Sequence, residues 1–185
     1  MTKSKKLLAA TATAAVLATG AIGAVTANAA NAAGPANAAK TAVKADAANR
    51  NLTQSTRLTI AAATKAAQSA LDAAAEEGQK VSVAVVDRDG KTVVTLRGDG
   101  AGPQSYASAE KKAFTAVSWN APTSALMDRL SKTPNLKEIP GTLFLPGGAP
   151  VQAKGAPIAA VGVAGAPSGD LDEKFAQAGV AALNG

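Results

Sequence analysis

The stretch VSVAVVDRDGKTVVTL, residues 81–96, decides the fold class of this chain. It contains two runs of mostly β-branched residues, 81–86 and 91–96, and such runs are typical of β-strands. The residues DRDG between them, 87–90, have the Asp-Gly chemistry of a tight turn. The stretch therefore predicts an antiparallel β-hairpin, on which helices from the rest of the chain can pack.

A helix is predicted on each side of the hairpin. Upstream, Thr53 is a suitable N-cap, and Gly78 stands where the helix would end. Downstream, Ser105 can cap a helix that continues to about Trp119. Both helices carry an apolar stripe: Ile60, Ala63, Ala67, Ala70, Leu71 and Ala74 in the first, and Ala109, Ala113, Ala116 and Val117 in the second. Because alanine side chains are small, these stripes allow a sheet or another helix to approach closely.

Shorter elements are predicted towards the C-terminus. Thr123 can cap a short helix, strands are predicted over 142–145 and 157–163, and a final helix is predicted over about 170–183. The order of elements is therefore helix, hairpin, two helices, two strands and a helix. This order, with short connections between paired strands, predicts a single α+β domain over residues 52–185 that contains an antiparallel sheet.

The first 29 residues follow the plan of a secretory signal peptide. Three lysines within the first six residues precede an apolar run at 7–25, and small residues precede a predicted cleavage site after Ala29. The alternative is a transmembrane anchor, which needs roughly 20 strongly hydrophobic residues, whereas alanine and threonine predominate here. We therefore expect residues 1–29 to direct secretion, which would make the mature protein extracellular.

Residues 30–51 are predicted to form a flexible linker, because they are rich in alanine and asparagine and Val43 is their only large apolar residue. The formal net charge of +6 resides mainly in the leader and this linker, since residues 52–185 contain 13 basic and 12 acidic residues. That region has neither a basic stripe nor interleaved aromatic residues. No nucleic-acid partner is therefore expected.

The 185-residue sequence contains no cysteine and no histidine. Disulfides, thiolate or imidazole metal ligands, Ser-His-Asp triads and histidine acid–base catalysis are therefore excluded. The glycine-rich stretches at 98–102 and 147–148 lack the context of a phosphate-binding loop, and we interpret them as turns.

Five separated blocks within residues 52–185 resemble the GlcG-like family. They are VAVVDRDG at 83–90, LRGDGA at 96–101, AEKKAFTA at 109–116, GGAPV at 147–151, and GVAGA at 162–166 followed by Asp170. Two more segments, SWNAPTS at 118–124 and PGTLFL at 140–145, are similar to the HbpS type within that family, which comprises secreted bacterial haem-binding proteins.

The resemblance implies an α+β subunit with a five-stranded antiparallel sheet, assembled into a high-order homo-oligomer such as an octamer. It also implies that haem and its iron are bound, and that a membrane sensor histidine kinase is a partner in redox or iron signalling. We therefore expect a secreted protein that captures or senses haem.

Without histidine and cysteine, a haem iron ligand must be an oxygen donor, a lysine amine or the thioether of Met127. The resemblance singles out Thr142, which is followed by Leu143 and Phe144, two side chains that could cover a porphyrin face. A neutral hydroxyl is a poor iron ligand, so weak and exchangeable haem binding is expected, with apolar contact supplying most of the affinity. The alternative is that Thr142 merely starts a strand.

Arg97, Lys112 and Arg129 are the predicted partners of the haem propionates, because charge-assisted hydrogen bonds to carboxylates need a cation at the rim of the pocket. The alternative is that these side chains are only solvated at the surface.

A surface iron site is also implied, since the HbpS type carries a Glu-x-x-Glu stretch followed by lysine. Here Glu110 and Lys112 match that stretch, but Ala107 replaces the first carboxylate. The segment DLDE at 170–173 has suitable spacing, yet it is better explained by Asp170 as a helix N-cap with Glu173 three residues later.

Two other functions stay open at this point. A GlcG-like enzyme or accessory protein would act on haem or on a small organic acid, and it would need a reactive group that the sequence does not visibly supply. A corrinoid would be another flat ligand, although the absence of histidine disfavours strong cobalt coordination.

Overall fold

The structure is a computed structural model that describes residues 46–184. The predicted leader at 1–29 and most of the predicted linker at 30–51 lie outside the described residues. Residues Ala48–Gly185 form one compact unit. Within the described part of the chain, no helix combines the length and the apolar character that crossing a bilayer requires.

Within residues 46–184 the fold consists of four helices and four strands. In chain order they are α1 (Ile60–Glu76), β1 (Ser82–Asp87), β2 (Thr92–Arg97), α2 (Pro103–Trp119), α3 (Thr123–Leu130), β3 (Gly148–Ala153), β4 (Ala156–Ala164) and α4 (Gly169–Ala181). Short 3-10 turns occur at Asn49–Asn51, Pro134–Glu138 and Ala182–Asn184. The α+β class, the central hairpin and the four helices of the prediction are confirmed.

The strands form one antiparallel sheet in the order β2-β1-β4-β3. The expected five-stranded sheet is wrong, because the described residues contain four strands. The strand predicted at 142–145 is also wrong. There the amide and the hydroxyl of Thr142 both donate to the Ile139 carbonyl, at 3.3 and 2.8 Å, so the chain closes a turn instead of extending along the sheet.

Helices cover both faces of the sheet. Side chains of β1 alternate between them: Val83 and Val85 join the core formed with α1 and α4, whereas Ala84 and Val86 pack towards α2. Because both faces are covered, β1 and β4 are buried along most of their length. The sheet is thus the middle layer of a three-layer domain.

Small residues let the backbone of α2 lie directly against the backbone of the sheet. A Cβ atom added to Gly162 of β4 would lie 2.1 Å from the Ala109 carbonyl oxygen and 2.6 Å from the Ala113 amide nitrogen. Only glycine fits there, since both atoms belong to the backbone of α2. The alanine stripe predicted for this helix is therefore the surface that fixes its position on the sheet.

Two predicted helix starts are displaced. α1 is capped by Thr59, whose hydroxyl accepts a hydrogen bond from a first-turn amide at 3.1 Å, and not by Thr53. α2 begins at Pro103, whose missing N–H costs nothing in the first turn. The hydroxyl of Ser105 instead lies 2.8 Å from that of Ser82 in the interior.

Candidate functional site

A cavity of about 260 Å³ lies where the hairpin turn, α2 and the loop after α3 meet. We call it the Phe114 cavity; its lining residues are Val86, Gly90, Thr92, Glu110, Lys111, Phe114 and Gly141. The loop is the segment 139–147, here called the Thr142 loop. The cavity therefore borders the segment that the family resemblance singled out for haem.

The ring of Phe114 is the apolar wall of this cavity. A Cβ atom at Gly90 would lie 2.7 Å from Phe114 Cε2, and one at Gly141 would lie 3.5 Å from Cε1. Both glycines also have positive φ, +76° and +82°, which side chains rarely adopt. Two tight backbone turns are thus held against one aromatic ring.

Thr142 follows Gly141 and is half-buried. Its hydroxyl donates to the Ile139 carbonyl at 2.8 Å, so its proton points into the loop. The lone pairs of the hydroxyl oxygen are then available to another partner. A hydroxyl contacts a metal ion through such a lone pair. A neutral oxygen donor on the residue that follows Gly141, together with the apolar ring against which Gly141 lies, fits haem in its chemistry.

Phe144 does not line the cavity. It is 4% exposed, and its ring packs edge-on against Trp119 with 5.1 Å between the centroids. Sequence reasoning assigned Phe114 to the core or an interface and missed it as a wall of this cavity. The only signal in the sequence was its position four residues after Glu110, on the same side of a helix.

The predicted propionate partners are spread over the subunit. Arg97 stands at the end of β2 remote from the hairpin turn, five residues or about 17 Å beyond Thr92. Its guanidinium donates to the Ala101 carbonyl through Nε at 3.2 Å and Nη2 at 2.6 Å. Arg129 lies exposed in the last turn of α3. The cation at the cavity itself is Lys111, which sequence reasoning did not select.

Glu110 and Lys112 lie on different sides of α2. Glu110 lines the cavity, where it accepts a hydrogen bond from the Thr95 hydroxyl at 3.2 Å. Lys112 points into the domain and is 4% exposed. The fold does not bring the two together, and the described residues contain no group of three or more acidic side chains placed to hold a metal ion.

Lys112 forms a buried ion pair with Asp172 of α4, with 2.7 Å between Nζ and Oδ2. The other carboxylate oxygen of Asp172 accepts the Ala166 amide at 3.0 Å. Burial raises the pKa of Asp172 above its ordinary value, and the hydrogen bond and charge of Lys112 offset this only in part. The pair therefore joins two helices from opposite faces of the sheet.

Glu173 follows Asp172 in α4, is also buried, and accepts hydrogen bonds from the first residues of α3. Its carboxylate accepts hydrogen bonds from the amide and the hydroxyl of Ser124, from the Thr123 hydroxyl at 3.2 Å and from the Gly147 amide at 3.3 Å. The cap of α4 is Ser168, whose hydroxyl accepts the Leu171 amide, so the predicted Asp170 cap is wrong.

Comparisons with known proteins agree with this architecture. The family model described as "Haem degrading protein HbpS-like" matches residues 58–181. The crystal structure of HbpS is 70% identical, with 74% of this chain and 97% of that chain covered and a TM-score of 0.74. A glutamate-to-aspartate double mutant of HbpS from Streptomyces reticuli is 68% identical, with coverages of 76% and 96% and a TM-score of 0.75.

A more distant match is the complex of PduOC with heme, at 27% identity, coverages of 70% and 96% and a TM-score of 0.64. A search of curated proteins gave no match. The family model covers most of the described residues, and the HbpS structures are matched over nearly their whole length. This chain belongs to the HbpS-like family.

Proposed function

We propose that this protein binds haem at the Phe114 cavity, with Thr142 as the oxygen donor closest to the iron. The observation that carries the proposal is that the cavity is walled by the Phe114 ring and reaches Gly141, the residue directly before Thr142, whose hydroxyl proton is turned towards Ile139. Lys111 at the same cavity supplies a cation for a propionate. Arg129, which is exposed in the last turn of α3 and is not part of this lining, stays a prediction from the sequence.

The size of the cavity bears on the expected affinity. Pockets that enclose a ligand of drug size measure about 300–1,000 Å³, and the Phe114 cavity of about 260 Å³ lies below that range. One subunit therefore covers only part of a macrocycle. Apolar contact supplies most of the affinity at about 25 cal/mol per Å², and a neutral hydroxyl adds up to about 1.5 kcal/mol, the net contribution of one neutral hydrogen bond. The expected binding is weak and exchangeable, unless a neighbouring subunit of a homo-oligomer covers the remainder.

Relatives support the choice of ligand. The HbpS structures are 68% and 70% identical to this chain, the matching family model is described as a haem degrading protein, and a distant relative, PduOC, is described as a complex with heme. We propose further that the protein is secreted and captures or senses haem for a membrane sensor histidine kinase. That part rests on the export pattern at 1–29 and on the family resemblance.

The test is a titration of the purified mature protein with hemin. A saturable shift of the Soret band is expected, and Thr142→Ala should reduce both the shift and the affinity. Thr133→Ala is the matched control, because Thr133 is exposed and its side chain makes no capping hydrogen bond. An unchanged spectrum in the wild-type protein would remove the proposal, and equal affinity in Thr142→Ala would clear Thr142 of its role.

A second candidate function is haem degradation, which the description of the matching family model favours. The absence of histidine and cysteine means that this chain would position haem and admit oxygen without a conventional acid–base residue. Incubating the haem complex with ascorbate and oxygen separates the two functions. Repeated loss of porphyrin absorbance, with more than one haem consumed per subunit, would indicate an enzyme; a stable spectrum would indicate a binding protein.

A further inference from the structure

The Thr142 loop is held by buried side chains of three helices. The Leu143 amide donates to the Thr115 hydroxyl of α2 at 2.8 Å, and the Gly147 amide donates to Glu173 of α4 at 3.3 Å. Just beyond the loop, the Gly148 amide donates to the Thr123 hydroxyl of α3 at 2.8 Å. The position of the loop is therefore fixed by three side-chain acceptors: the Thr115 and Thr123 hydroxyls and the Glu173 carboxylate.

Thr115 is the anchor nearest to the candidate ligand. It is fully buried, and its hydroxyl donates to the Lys111 carbonyl at 2.8 Å while it accepts the Leu143 amide. The hydroxyl thereby ties the loop to the helix that carries Phe114. Phe114, which forms the cavity wall, and Thr115, which holds the residue next to Thr142, are therefore neighbours on the same turn of α2.

We propose that Thr115 is a positioning residue for haem: by holding the Leu143 amide, it sets where the Thr142 hydroxyl lies relative to the Phe114 ring. This proposal rests on the proposed haem function. Thr115 itself does not contact the ligand, since it is buried beneath the loop.

Loss of the Thr115 hydroxyl would leave the Leu143 amide without an acceptor in a partly buried place. A buried amide without a partner is costly, so the loop would move until the amide reached water or another acceptor. A weak oxygen ligand gains affinity chiefly from being held in place before binding. Displacement of the neighbouring Thr142 would therefore lower haem affinity more than it lowers the free energy of unfolding.

The test uses the full-length mature protein and three variants. Thr115→Val keeps the shape and removes the hydroxyl, Thr115→Ser keeps the hydroxyl, and Thr115→Ala is a second deletion in case the valine variant folds poorly. Ser105→Ala is the control for loss of a buried hydroxyl, because Ser105 lies ten residues earlier on α2, about 15 Å away.

Two measurements are made on each protein: hemin affinity with its Soret spectrum, and hydrogen exchange of the Leu143 amide without hemin. Thr115→Val and Thr115→Ala should lose about tenfold in affinity, the equivalent of one neutral hydrogen bond, and their Leu143 amide should exchange faster. Thr115→Ser should behave as wild type in both measurements. Ser105→Ala should lower the thermal unfolding midpoint without a change in affinity.

The two readouts separate the possible failures. Wild-type affinity and spectrum in Thr115→Val would overturn the positioning role, and so would an affinity loss no larger than that of Ser105→Ala. Unchanged exchange of the Leu143 amide would overturn the anchoring that the role requires. Wild-type protein that does not bind hemin would instead overturn the proposed function, whatever the exchange data show.

Discussion

Lys112 Nζ lies 2.7 Å from Asp172 Oδ2, and both side chains are 5% exposed, so an ion pair joins α2 to α4 inside the domain. The two residues are 60 positions apart in the chain. The Lys112 ammonium also lies close to Gly147, where an added Cβ atom would be 2.7 Å from it. Within this subunit, Lys112 therefore contributes to the packing of helices around the end of the Thr142 loop.

Removing one partner of this pair should destabilise the protein strongly. Lys112→Met leaves the Asp172 carboxylate buried without its cation, and such losses cost about 3–5 kcal/mol. The double variant Lys112→Met, Asp172→Asn should recover most of that stability, because asparagine is neutral and its oxygen can still accept the Ala166 amide. Urea unfolding of the wild type, both single variants and the double variant gives the coupling energy. A cost below about 1 kcal/mol for Lys112→Met would mean that the pair is not held as described.

The same variants test the predicted iron role of Lys112. If Lys112 acts only through packing, the double variant should bind ferrous or ferric iron as the wild type does. Loss of iron binding in a stable double variant, where Asp172→Asn alone retains it, would restore Lys112 as a metal-site residue.

Stability should also depend on pH through Asp172. Burial raises its folded-state pKa above the ordinary 3.8, so the folded protein holds the proton more tightly than the unfolded chain does. The contribution of Asp172 to the free energy of unfolding should therefore fall as pH rises from the ordinary pKa through the raised one. Asp172→Asn removes this titration. The difference in unfolding free energy, wild type minus Asp172→Asn, should decrease across that window and then level off; parallel curves would contradict the expectation.

The confirmed elements are those with short-range signals in the sequence. The DRDG turn at 87–90 lies between two β-branched runs, and Gly78 ends α1 with a φ of +68°. The stripe Ala109, Ala113 and Ala116 repeats at helical spacing and is buried. Each signal is complete within a few residues, so no knowledge of the tertiary fold is needed to interpret it.

The failures have two causes: a turn that closes within a few residues against the strand propensity of its run, and pairing between distant segments. The run TLFL at 142–145 has strand-forming residues, but its amide and hydroxyl groups close a turn onto Ile139. The true strand, β3, includes Gly148 and Pro150, which are poor strand formers. It forms because it pairs with β4 at the edge of the sheet, where proline is tolerated.

Partners such as Thr115 and Leu143, or Lys112 and Asp172, lie 28 and 60 residues apart. Nothing local in the sequence indicates which distant group a buried polar side chain will meet. The composition of the site could be predicted in part, whereas its geometry required the fold.

The two phenylalanines near the site should separate binding from stability. Phe144→Ala removes a buried ring that packs on Trp119 and should cost about 3–5 kcal/mol of unfolding free energy. Phe114→Leu keeps an apolar side chain but removes the aromatic wall, so hemin affinity should fall while stability changes by less than about 1.5 kcal/mol. Trp119, the single tryptophan of the chain, reports both unfolding and hemin quenching by its fluorescence. Full hemin affinity in Phe114→Leu would argue against this cavity.

A surface iron site should be created by restoring the missing carboxylate. Ala107 is exposed one helical turn before Glu110, so Ala107→Glu places two carboxylates on one side of α2. Iron affinity should rise by about tenfold, the equivalent of 1.4 kcal/mol. Ala107→Gln is the neutral control and should leave the affinity unchanged. An equal response of the two variants, measured by competition with a chromogenic chelator, would show that Glu110 does not take part.

The close contact between β4 and α2 should make Gly162 intolerant of any side chain. A Cβ atom there meets the Ala109 carbonyl oxygen at 2.1 Å, and backbone atoms of a packed helix cannot move aside as a flexible side chain can. Gly162→Ala should therefore cost about 3 kcal/mol or more and, by displacing α2, should weaken hemin binding as well. Gly155→Ala is the matched control, because its Cβ would meet nothing within 4 Å and only its positive φ of +78° is strained. If both variants lost equal stability and both kept hemin affinity, the contact with α2 would not control the site.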